Sequence, residues 1–78
     1  MFYIVEIQTS EAGTGTYLVT KKADQNEAEA DFHRVCSAAA ISDVYKHGAV
    51  LISEDAATIR HEIYKHPKKE TQAAGQEG

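Results

Sequence analysis

Residues 24–41, DQNEAEADFHRVCSAAAI, are the one stretch of this chain with a helical rhythm. Ala28, Phe32, Val35, Cys36 and Ala39 follow one another at spacings of four, three, one and three, which lays them along one side of an α-helix. Asp24 and Glu27 stand at capping-box spacing, so that the aspartate can accept the free amide near Glu27. Glu27, Glu29 and Asp31 precede His33 and Arg34, the order that the helix dipole favours. A stripe this narrow covers one face of one sheet, and everything else in the chain has to supply that sheet.

The flanking runs have strand character. In residues 2–9, FYIVEIQT, alternation places Tyr3, Val5 and Ile7 on one face and Phe2, Ile4, Glu6 and Gln8 on the other. SEAGTG at 10–15 is a glycine-bearing turn, and TYLVTK at 16–21 is the returning strand. Its register is open: either Leu18 or the pair Tyr17 and Val19 shares a face with Phe2 and Ile4. After Ser42 and Asp43 end the helix, residues 44–53 and 58–66 form a second hairpin around Glu54, Asp55, Ala56 and Ala57. Ser53 opposite Thr58 sets Leu51 against Arg60, Ala49 against Glu62 and His47 against Tyr64.

Two hairpins joined by a helix predict an α+β fold, a ββαββ two-layer sandwich. Its four-stranded antiparallel sheet has the order 2-1-3-4, because a right-handed crossover passes over the first strand. Residues 1–66 make the single domain. Pro67 removes a ladder donor, and 67–78, without a large apolar side chain, are expected to be a disordered tail.

Val50, Ile52, Ile59, His61 and Ile63 are the more apolar side of the second hairpin, and the helix is expected there. Phe2, Ile4, Tyr45, His47, Leu51, Arg60 and Tyr64 then lie on the uncovered side as the candidate interface. A domain of 78 residues buries only about 60% of its unfolded surface, so a partner would help it. These residues are expected to pack against a second copy in a homodimer, or against another protein. The alternative occupant is single-stranded nucleic acid, with Tyr45, Tyr64, His47, Arg60 and Lys21 stacking and pairing on the open sheet. A net charge of −4 opposes that reading.

Catalysis and cofactors find little support. One cysteine, Cys36, precludes an internal disulfide, and its apolar neighbours predict an inert buried thiol. His61 and His66 fall on opposite faces of a strand, and the chain has no C-x-x-C or H-x-x-x-H pair, so neither metal nor cofactor is expected. No phosphate-binding glycine motif opens the helix. The start of the chain lacks a signal-peptide pattern and no run is long enough to span a membrane, which predicts a cytoplasmic protein.

The residues 2–9, Asn26-Glu27-Ala28-Glu29, Phe32-His33, 37–42, 47–51 and Tyr64-Lys65-His66 together resemble short uncharacterised proteins of bacteriophages, prophages and mobile elements of gut-dwelling Firmicutes. The likeness extends over nearly the whole chain before Pro67. It implies a small accessory protein in a bacterial cytoplasm with a binding role, and it assigns a function to no residue.

Overall fold

Alternating β-branched and aromatic residues build two hairpins, and one amphipathic helix connects them. The computed structural model describes residues 1–67; most of the expected disordered tail lies outside them. Strand β1 is Phe2–Thr9, β2 Gly15–Lys22, helix α1 Gln25–Ala40, β3 Lys46–Ser53 and β4 Thr58–Lys65. Every strand pairing is antiparallel and the sheet order is β2-β1-β3-β4, so the expected α+β arrangement is the one adopted. The first strand is therefore an inner strand, and β2 and β3 run parallel on either side of it.

The helix starts where its capping chemistry directs. Asp24 is extended, and its carboxylate accepts the Glu27 amide at 3.0 Å. Ala28, Phe32, Val35, Cys36 and Ala39 are its buried residues, the stripe read from the spacing. In the first hairpin, Gly13 takes φ +91° at a point where a side chain would be strained, and its amide donates to the Ser10 carbonyl.

The first hairpin pairs Ile4 with Thr20 and Glu6 with Leu18, which settles the open register in favour of Leu18 beside Phe2 and Ile4. The second keeps Leu51 against Arg60, Ala49 against Glu62 and His47 against Tyr64. Beyond Leu51 it slips, so that Ile52 faces Thr58 instead of Ile59. The extra residue forms a β-bulge, and Ile59 packs against the core cluster.

The helix lies on the opposite face from the one expected. Ile4 and Leu51 are 1% and 0% exposed beneath it, in one cluster with Phe32, Val35, Cys36 and Ala49. The expectation rested on apolar content, yet the polar residues of this face are held by the helix and the segment after it. Arg60 Nε donates to Glu29 Oε1 at 2.5 Å, and the His66 imidazole reaches the Ala39 carbonyl at 3.0 Å. Ala49, small enough to sit below a large aromatic, shares the cluster with Phe32.

Truncation separates the two faces. Leu51→Ala is expected to lower unfolding free energy by about 2–5 kcal/mol, and Val50→Ala on the other side by about 1 kcal/mol. Urea denaturation of both variants measures the contrast, and the reverse ranking would contradict this placement of the helix.

Candidate interaction surface

Strand register fixes what the uncovered face displays. Tyr17, Ile7, Gly48 and Ile63 form one row across it, and Val19, Val5, Val50 and His61 the next. Lys21, Tyr3, Ile52 and Thr58 close one end of the sheet; Gly15, Thr9, Lys46 and Lys65 close the other. Side chains that usually build cores are in contact with water here: Ile7 is 47% exposed and Ile63 54%. Four strands of eight residues give a face of roughly 26 by 19 Å, about 500 Å² in plan. Its apolar centre is only part of that area and falls within the range of the largest apolar patches on monomers, about 300–600 Å².

Near the centre the face dips. Ile7, Val50 and Ile63 surround a depression of about 200 Å³ where Gly48 has no side chain to fill it. A Cβ on Gly48 would stand 3.3 Å from the Glu62 carbonyl oxygen, so the strands also approach closely at this point.

Charge is segregated as well. Lys21 occupies one corner of the open face and Lys46 and Lys65 the diagonal one, while no carboxylate occupies any of its strand positions. Among the described residues, the acidic ones sit on the helix, on the covered face (Glu6 and Glu62) and in the turns and connecting segments. The apolar centre therefore has a basic border on a chain whose net charge is −4.

The residues expected to form the interface lie elsewhere. Ile4 and Leu51 are core, His47 is 4% exposed, and Phe2 and Tyr64 pack partly buried against the core cluster. Arg60 is committed to Glu29. Tyr45 precedes β3 and lines a cleft of about 360 Å³ with Gln8, Thr16 and Asp43. The tyrosines invoked for base stacking are thus not on the open face, which carries Tyr3 and Tyr17 instead. Side-chain pattern points the other way: Tyr3, Val5 and Ile7 carry no charge while Ile4 shares its face with Glu6 and Gln8, so no local signal marks the uncharged set as the exposed one.

On the covered face, pairing brings together three polar groups distant in sequence. His47 Nε2–H donates to Glu6 Oε2 at 2.5 Å, and Nδ1 lies 3.1 Å from the Ser42 hydroxyl. The Val44 amide donates to that same hydroxyl oxygen at 3.0 Å, leaving the serine proton free to point at Nδ1. With Nε2 protonated, every partner of the imidazole is satisfied. A carboxylate–imidazole–hydroxyl line has the composition of a hydrolytic triad. Its surroundings oppose that chemistry, because Ser42 follows the C-terminal end of α1, where backbone carbonyls would repel a developing oxyanion.

Between the helix and β4, a groove lined by Phe32, His33, Cys36 and Tyr64 exposes little of the thiol. Burial raises the Cys36 pKa, and the nearby Glu62 carboxylate adds to the rise. Burial likewise raises that of Tyr64. Among the described residues no group of three or more His, Cys, Asp or Glu side chains could hold a metal ion, and no helix is long and apolar enough to cross a membrane. No family model, curated protein or solved structure matches this chain.

Two measurements follow from these groups. Glu6→Leu strands the His47 donor in the interior and is expected to cost about 1–3 kcal/mol in urea unfolding. Iodoacetamide alkylation of native Cys36 should reach half its limiting rate at a pH above the roughly 8.5 of a free thiol. Rapid alkylation at pH 7 would contradict the buried, protonated thiol.

Proposed function

We propose that this chain is a non-enzymatic protein-interaction module that pairs with a second copy of itself through the sheet face opposite the helix. The observation that carries the reading is the unbroken apolar centre made by Val5, Ile7, Val19, Val50, Ile52 and Ile63. Aliphatic β-branched side chains pack against other side chains, as the inner faces of β-sandwiches do. Base stacking instead needs rings, and the inner strands here contribute a single one to this face, Tyr3, near the end of β1. The resemblance to short phage and mobile-element proteins supports a setting as an accessory protein in a bacterial cytoplasm.

Sedimentation equilibrium at tens of micromolar is the direct test. The wild type is expected to run as a dimer, and Val50→Glu as a folded monomer with an unchanged far-ultraviolet spectrum. A desolvated carboxylate in that position should weaken association at least about a hundredfold. A wild-type monomer would remove the basis of the reading. Salt-sensitive binding to a single-stranded oligonucleotide, lost in Tyr3→Ala, would favour a nucleic-acid partner in its place.

A further inference from the structure

We infer that the second copy docks in one orientation, with its strands running antiparallel across the interface, so that Lys46 and Lys65 of each copy lie against the Glu54–Asp55 turn of the other. This rests on the self-pairing proposed above and specifies it.

Two identical sheets can meet face to face about a two-fold axis that runs along the strands or across them. An axis along the strands lays like end on like end and β2 over β4. The Lys46 and Lys65 ends of both copies would then converge, four ammonium groups on a border that holds no carboxylate in its strand positions. An axis across the strands lays the Lys46 and Lys65 end of one copy over the opposite end of the other and keeps β4 over β4. That opposite end leads into the turn after Ser53, where Glu54 and Asp55 are exposed and Glu54 Oε1 is paired with the Met1 ammonium at 2.8 Å. The Lys46 and Lys65 of each copy then meet Asp55 and the Glu54–Met1 ion pair of the other, with Lys21 two strands away on β2, instead of converging on a second lysine pair.

The apolar rows suit the second arrangement as well as the first: the axis along the strands seats Ile7 of each copy over the Gly48 depression of the other, and the axis across them seats Val50 there, so the charged ends make the choice. A plan area of about 500 Å² per copy, enlarged by side-chain relief and by the charged ends, comes close to the about 800 Å² per partner of a standard interface.

Charge exchange followed by sedimentation tests the orientation. K46E/K65E alone and E54K/D55K alone should each dimerise about tenfold or more weakly than the wild type at low salt. An equimolar mixture of the two should recover affinity to within about threefold, because both ends of the mixed dimer are again oppositely charged. A K46E/K65E homodimer as tight as the wild type, with tighter pairing still between that variant and the wild type, would overturn the inference. Cross-linking gives a second readout on otherwise native surfaces. Lys65→Cys mixed with Asp55→Cys should oxidise to a mixed disulfide faster than Lys65→Cys mixed with Gly15→Cys, and the opposite ranking would select the rejected axis. A wild-type dimer indifferent to all these changes sinks the orientation alone, whereas a wild-type monomer sinks it together with the self-pairing beneath it.

Discussion

Ile4 and Leu51 face each other across the β1–β3 ladder, and both are shut off from water beneath Phe32 and its neighbours on α1. This pair joins the two hairpins to the helix. Burying each side chain is worth about 1.5–3 kcal/mol, a large part of what so small a domain can hold in reserve. Because side chains alternate along a strand, placing Ile4 and Leu51 under the helix also decides what every other position does. Glu6, His47, Arg60 and Tyr64 are drawn to the covered side, and Val5, Ile7, Val50 and Ile63 are turned outward.

The covered side is more polar than a core of this size suggests, and it tolerates that polarity through specific partners. His47 is held at both ring nitrogens, by Glu6 and by Ser42, so its burial leaves no unmet donor. Arg60 and Glu29 connect β4 to a helix that otherwise covers that edge thinly. Their pairing is partly exposed and contributes orientation more than energy. The outward side has the reverse character, greasy at its centre and charged only at its corners.

The elements were legible in the sequence because their signals are local. Asp24 and Glu27 marked the helix start, and the spacing of Ala28, Phe32, Val35, Cys36 and Ala39 marked its buried side. Phe2, Ile4 and Leu51 were correctly grouped on one face, and the pairing of His47 with Tyr64 was correctly placed. What local pattern could not decide was the side on which the helix rests, a single binary choice that moved the whole candidate interface. Apolar content pointed the wrong way, since isoleucine and valine suit a half-exposed sheet face about as well as a core. The partners of Glu6 and Arg60 were the missing information. Glu6 meets His47 across 41 residues and Arg60 meets Glu29 across 31, separations that no short window spans. The bulge at Ile59 was hidden for a related reason, because the Glu54–Ala57 turn is compatible with an unslipped register.

The inner position of the first strand has a kinetic consequence. Each hairpin can close over a short loop, but β1 gains its second neighbour only when β3 reaches it, at sequence separations from 37 (Thr9 to Lys46) to 51 (Phe2 to Ser53). Such a closure is entropically slow compared with turn formation. While it is pending, the newly made first hairpin carries a raw inner edge, rich in isoleucine and valine, with nothing hydrogen-bonded to it. The crossover helix, tethered directly to that hairpin, is the nearest element able to shield the side chains of β1 until the third strand arrives.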